Sequence, residues 1–246
     1  MKEAVRLDKF LADAGLGTRK EVKKLISQGR ITNEAGILKD PAFKVQEGMR
    51  ILLDGTEVQA GASFVYYLLH KPAGYVSATE DAKDPTVLEL VPSSPRRQLF
   101  PVGRLDKDTE GLLLITDDGQ LSHRLLAPGR HVDKVYFARI RGEMGEDDIA
   151  RFEEGIDIGD EKPTLPARLE LLQVRDGSSE VKITLHEGRY HQIKRMAAAL
   201  GKEVTYLKRL SMGELILPED MPAGTYMELD ASCRPVRPAE YRRKAE

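Results

Sequence analysis

The segment Gly103-Arg104-Leu105-Asp106-Lys107-Asp108-Thr109-Glu110-Gly111 sets five ionisable side chains between two glycines, directly ahead of the apolar run Leu112 to Ile115. A carboxylate in such a loop stands at the lip of the strand that follows, where polar groups serve chemistry more often than packing. A solvated turn with local ion pairs is the other reading of the same spacing. A second concentration of charge runs from His186 through Glu187, Gly188, Arg189, Tyr190, His191, Gln192, Ile193, Lys194 and Arg195 to Met196. Ile193, Met196, Ala197 and Leu200 recur at helical spacing and Gly201 stops the pattern, which predicts a helix over 190–200. His191, Lys194 and Arg195 then load its first turns with positive charge against the helix dipole, at about 0.3–1 kcal/mol for each badly placed charge. Such a helix calls for an anionic partner, either a carboxylate from elsewhere in the fold or a phosphate. Tyr136 lies in Lys134-Val135-Tyr136-Phe137-Ala138-Arg139, where strand alternation puts it on the same face as Lys134. There it either fills core or stacks against a base in a cleft while keeping a polar tip.

Other chemistries lack their residues. His186 and His191 have the wrong spacing, with Gly188 between them, to share a face of a zinc-binding helix, and His70, His123 and His131 are scattered. Cys233 is the single cysteine, so neither a disulfide framework nor a cysteine metal site exists, which fits a reducing cytosol. No P-loop, no dinucleotide fingerprint and no glycine-framed serine elbow appears, so no metal and no phosphate-bearing cofactor is expected. The start of the chain has no signal-type apolar core and no run is long enough to span a bilayer. A cytoplasmic protein without membrane contact is the expectation.

Thirty-eight basic residues nearly balance 40 acidic ones, for a net charge of −2, but the distribution is uneven. Arg19, Lys20, Lys23, Lys24 and Arg30 are opposed locally only by Glu21, whereas 143–161 is strongly acidic. Leu7, Phe10, Leu11 and Ala14 predict a first helix stopped by Gly15; Thr18 and Glu21 form a capping-box pattern for a second, closed by Gly29. The basic side chains of that second helix lie largely off its apolar stripe, either simply solvated or free to meet phosphates. Short β segments at 30–32, 37–38 and 49–53 complete a small α+β module over 1–58, followed by a polar linker at 59–63. From 64 to 233, strands at 64–69, 75–77, 112–116, 134–141, 167–174 and 180–185, with helices at 120–126, 146–154 and 190–200, predict an α+β domain with a mixed, mainly antiparallel sheet. Residues 234–246 read as a loose basic tail.

Together, Lys71-Pro72-Ala73-Gly74-Tyr75, Gly103-Arg104-Leu105-Asp106, Ser122-His123-Arg124-Leu125, Lys134-Val135-Tyr136, Glu187 to Met196 and Leu207-Lys208-Arg209 resemble the bacterial RsuA-type pseudouridine synthases, in order and nearly end to end. The N-terminal module looks like the small αL (S4-like) RNA-binding domain that this family commonly carries. The resemblance implies an isomerase that converts a uridine of ribosomal RNA to pseudouridine without a cofactor. It implies Asp106 as the carboxylate acting at the ribose, by attack on C1′ or by removal of the C2′ proton, with Lys194 as its partner and Arg195 as the fallback. Tyr136 would stack on the target base, and Arg104 would help extrude the uridine or hold its phosphate. His191, Gln192, Arg195 and Arg209, and Arg19, Lys20, Lys23 and Lys24 of the module, are expected at the RNA. Histidine and lysine at 191 and 194 are closer to members that modify small-subunit (16S) rRNA, at a uridine of the 516 type, than to large-subunit relatives. No protein partner is implied, and a monomer is expected. A large-subunit (23S) target and a non-catalytic RNA-binding assembly protein are the alternatives.

Overall fold

The capping box expected at Thr18 forms: Glu21 donates its backbone N–H to Thr18 Oγ1 at 3.3 Å, and Thr18 N–H donates to Glu21 Oε2 at 2.7 Å. It starts α2 (Arg19–Ser27), and Gly29 at φ 72° closes it. In this computed structural model, which describes residues 4–14, 16–46, 48–58, 64–93, 98–127, 132–230, 232–236 and 240–244, the chain divides into two units. One comprises residues 1–65 with 93–99, the other 66–92 with 100–246. The expected helix stop at Gly15, the linker 59–63 and His131 lie outside the described residues.

In the first unit, β1 (Val5–Arg6) leads into α1 (Leu7–Asp13), and after α2 come β2 (Ile31–Asn33), β3 (Gly36–Ile37), β4 (Lys44–Val45), β5 (Ile51–Leu53) and β6 (Thr56–Val58). β3, β2, β5 and β6 form one antiparallel sheet in that order, and β1 pairs with β4. Asp54 and Gly55, at φ 50° and 81°, make the two-residue turn between β5 and β6 that the twist of a hairpin favours. Leu7, Leu11, Val22, Ile26, Ile31 and Ile51 are fully buried and form the core. Because Val22 and Ile26 hold the inward stripe of α2, Arg19, Lys20, Lys23 and Lys24 are left exposed.

The second unit is built on one sheet. Its elements are β7 (Tyr66–Lys71), β8 (Phe100–Pro101), β9 (Glu110–Thr116), α3 (Gly119–Leu126), β10 (Lys134–Arg141), α4 (Glu146–Glu154), β11 (Arg168–Arg175), β12 (Ser178–Leu185), α5 (Gln192–Ala199), β13 (Glu203–Met212), β14 (Leu215–Ile216) and β15 (Tyr226–Leu229). The strand order is β11-β12-β10-β13-β9-β7-β15, with β14 on β13 and β8 on β9. Every pairing is antiparallel except that of β13 with β9, so the architecture is the mixed, mainly antiparallel α+β sheet expected. β10 and α4 occupy the expected spans.

Three differences stand out. β13, β14 and β15 are absent from the expected elements, although β13 is central. The helix expected to open at Tyr190 begins at Gln192, because His191 at φ 49°, ψ 34° is left-handed and cannot continue a right-handed turn. The described part of the tail is not loose: Tyr226 and Arg242 exchange both backbone hydrogen bonds at 2.8 and 2.9 Å, and Val236 N–H donates to the Glu228 carbonyl at 3.1 Å, which extends the sheet edge at β15. Among the described residues no helix is long and apolar enough to cross a membrane.

Candidate active site

Three neighbouring strands bring the chemistry to one line across the sheet. Tyr136 on β10 pairs with Arg209 on β13, and Arg209 pairs with Gly111 on β9, directly after the acidic loop. Gly111 sits at φ 107°, and a Cβ there would fall 2.2 Å from the Arg209 carbonyl oxygen. A side chain at this position would force β9 and β13 apart, so the glycine lets the loop approach the centre of the sheet.

The loop is gripped from the turn after β7. Lys71 is fully buried, and its Nζ donates to the carbonyls of Pro72 (3.0 Å), Lys107 (3.2 Å) and Thr109 (2.7 Å). Gly74 N–H donates to the Lys107 carbonyl at 2.8 Å. Ser77 Oγ donates to the Leu105 carbonyl at 2.9 Å and accepts the Leu105 N–H at 3.0 Å, fixing the residue ahead of Asp106. Burial pushes the Lys71 ammonium down to about 8, against the opposing pull of Asp108, Glu110 and Asp106. From sequence alone Lys71 has no role of its own; its signals are its place in the motif Lys71-Pro72-Ala73-Gly74-Tyr75 and a lysine at the end of a largely apolar strand before proline.

α5 supplies the partner. Lys194 Nζ lies 3.1 Å from Asp106 Oδ2 and 2.6 Å from Asp108 Oδ1, so one ammonium bridges two carboxylates. Burial works against its charge, but the bonds to Asp108 and Asp106 raise its pKa above the ordinary lysine value. Asp108, opposed by its own desolvation, is held below the usual carboxylate range by the same ammonium. His191 Nε2 stands 3.6 Å from Asp106 Oδ1. The anion demanded by the basic first turns of α5 is thus met by carboxylates of the fold, Asp106 and Asp108 at one side and Asp160 at another.

The remaining expected residues divide. Arg104, two residues before Asp106 in the same loop, is exposed and makes no hydrogen bond or salt bridge among the described residues. Tyr136 is buried at 8% exposure, yet its hydroxyl makes no hydrogen bond among the described residues and is not among the sealed, unpaired polar atoms, so it is not fully closed off from solvent. Arg195 is turned away: its Nη2 contacts Asp160 Oδ1 and the Ile158 carbonyl, both at 2.5 Å, so it does not stand in for Lys194. Gln192, expected at the RNA, is instead buried and closed internally, accepting from Arg189 N–H and donating to Glu187 Oε1, both at 2.9 Å. Arg209 is likewise inside the sheet at 2% exposure, donating Nε–H to the Leu112 carbonyl at 2.8 Å. Neither side chain is available to a surface ligand as it stands. Arg19, Lys20, Lys23 and Lys24 belong to the first unit and form no salt bridge among the described residues.

An oriented carboxylate held by an ammonium, an exposed arginine in the same loop and a phenol on an adjoining strand suit chemistry at a sugar carrying a planar base. The comparisons with known proteins agree. The RNA pseudouridylate synthase family matches residues 65–199, and the S4 domain family matches residues 5–51. An uncharacterized RNA pseudouridine synthase of Bacillus subtilis, YtzG, is 42% identical over 92% of this chain and 95% of its own length. The ribosomal small subunit pseudouridine synthase A of Vibrio parahaemolyticus is 41% identical over 92% of this chain and 96% of its own. A crystal structure of a pseudouridylate synthase superposes with a TM-score of 0.65 at 36% identity, covering 93% of this chain and 97% of that one. With an S4 domain ahead of a catalytic sheet that carries these motifs, the chain belongs to the RNA pseudouridylate synthase family, the isomerases that convert uridine in RNA to pseudouridine.

Proposed function

We propose that the protein isomerises one uridine of small-subunit rRNA, at the position of the 16S uridine 516 type, in the bacterial cytoplasm. The observation that carries the chemistry is the 3.1 Å contact between Lys194 Nζ and Asp106 Oδ2, which holds one carboxylate oxygen and so fixes the direction of the group. Asp106 attacks C1′ or removes the C2′ proton as the C1′–N1 bond breaks. The freed base turns, and the C1′–C5 bond forms as the bond from C1′ to the Asp106 carboxylate breaks or, on the other route, as Asp106 returns the proton to C2′; N1 takes a proton and the C5 proton goes to solvent. Every carbon, nitrogen, oxygen and phosphorus atom of the product comes from the substrate and only protons exchange with solvent, so the reaction requires no cofactor. Tyr136 stacks on the base, and Arg104 engages the backbone of the extruded nucleotide, since a base inside a duplex is out of reach. The exposed cations of α2 contact phosphates with little reading of sequence.

The small-subunit assignment is supported by the relatives named for that activity in Vibrio parahaemolyticus and, at 40% identity, in Pseudomonas aeruginosa, and by histidine and lysine at positions 191 and 194. Purified protein is expected to release tritium from C5-labelled uridine in 16S rRNA, and Asp106→Asn to abolish release while RNA binding survives. Turnover by Asp106→Asn removes Asp106 from its role. Mapping pseudouridines in rRNA from cells lacking the protein tests the target: loss at a 23S position instead transfers the activity to the large subunit.

A further inference from the structure

We propose that the outer face of Tyr190 is a stacking platform for the base that flanks the extruded uridine. The proposal rests on the reading of this site as one that receives an extruded uridine at Asp106. Tyr190 is 76% exposed, more than any other large apolar side chain among the described residues. It is nevertheless not adrift. Its inner face stacks on the His191 ring with centroids 3.8 Å apart and planes 18° from parallel, and His191 Nε2 lies 3.6 Å from Asp106 Oδ1. The His191 ring thus links the two, meeting Asp106 through Nε2 and Tyr190 through its face, and the Tyr190 side chain is largely open to solvent.

The backbone beneath is built to hold this arrangement. His191 is left-handed at φ 49°, a conformation unusual for a bulky residue and tolerated where the surroundings impose it. The Tyr190 carbonyl accepts from Arg195 Nη1 at 3.2 Å, and Arg195 is itself anchored on Asp160. A fixed aromatic pair ending in an open face, at the mouth of a site that takes a nucleotide out of its stack, offers what extrusion removes. When a uridine leaves, its neighbour loses a stacking partner, and an aromatic side chain replaces that contact for any base. The hydroxyl of Tyr190 is not part of the argument; its ring is.

The test uses the full-length protein and an rRNA fragment that is a substrate. Tyr190→Ala is expected to raise KM about ten- to hundredfold, the range of one base-stacking contact, with kcat at saturating RNA unchanged; Tyr190→Phe restores the affinity. An abasic residue beside the target uridine should cost wild-type enzyme a similar factor and cost Tyr190→Ala nothing more. Independently, in the Asp106→Asn background, 2-aminopurine placed next to the uridine should be quenched on binding, and the quenching lost on adding Tyr190→Ala. Unchanged KM in Tyr190→Ala, losses that simply add, or quenching indifferent to Tyr190 each overturn the platform, the last leaving Tyr190 to a protein contact. Absence of tritium release from wild-type protein would instead sink the enzymatic reading, and the quenching experiment then decides the platform alone.

Discussion

Lys194 touches two carboxylates, and their exposure separates the roles: the Asp108 side chain is 72% exposed and that of Asp106 is 27%. An ion pair to the exposed partner contributes little, about 0–1 kcal/mol, whereas aiming the half-buried carboxylate at a ribose is a matter of position. Lys194→Met is therefore expected to lower kcat by about a hundredfold or more, the scale of misplacing a reacting group, and Lys194→Arg to recover part of it. Asp108→Asn should cost less than about tenfold, because Lys194 keeps Asp106 as its partner. Single-turnover tritium release with saturating RNA reads both; a loss in Asp108→Asn as deep as that in Asp106→Asn would reassign the reacting carboxylate. From the residues alone, the basic first turns of the helix called for an anion, a carboxylate or a phosphate; that Asp106 is the partner of Lys194 was implied by the family resemblance, and the two side chains do meet. The commitment of Arg195 to Asp160 was not legible, since adjacent residues on a helix point about a hundred degrees apart and the acidic 143–161 segment read only as a charged surface.

At the scale of elements, the site depends on how β7, β9 and β13 clamp the loop. Gly111→Ala brings a Cβ to 2.2 Å from the Arg209 carbonyl oxygen at a positive φ; overpacking alone costs about 1–3 kcal/mol, and the backbone strain adds to it. Activity and thermal midpoint should fall together in this variant, and an unchanged midpoint would show that β9 and β13 yield easily. Lys71 gives a pH test. Its pKa in the fold is about 8 against an unperturbed 10.5, so between these values the unfolded chain binds more protons and stability rises with pH. The cost of burying the charged form is fully present below about 8. Relative to Lys71→Met, wild-type protein should accordingly gain stability as pH climbs from about 8 towards 10.5, read as a shift of the wild-type-minus-variant denaturation midpoint in favour of wild type; a constant difference across that window would mean that Lys71 stays charged in the fold. Amphipathic surface elements such as α2, α4 and β10 were legible because one face meets solvent. β13 was not: its inward positions include Arg209, a cation in a core place, and register shifts in its pairing with β10 break the alternation that marks a strand. Its parallel pairing with β9 joins residues about a hundred apart in the chain, and no local pattern reports that.

The whole molecule carries net charge −2, yet its substrate is a polyanion, so binding must come from where the cations stand and not from their sum. The four exposed cations of α2 have no salt bridge among the described residues, whereas Arg30 is paired with Asp54, Arg189 with Glu187 and Arg195 with Asp160. Free cations are the ones that displace condensed counterions, each phosphate contact adding roughly 0.7–0.9 to the slope of log affinity against log salt. Replacing Arg19, Lys20, Lys23 and Lys24 by alanine should then flatten that slope by about 3–3.5, raise KM at physiological salt and leave kcat at saturating RNA intact. The fold of the first unit should survive, since its core is supplied by Val22 and Ile26 on the opposite stripe and the Thr18–Glu21 cap is untouched. Substitution of the already paired Arg30 should barely change the slope. An equal flattening from Arg30→Ala, or none from the fourfold variant, would move the phosphate contacts away from α2 and leave the catalytic unit to bind the RNA by itself.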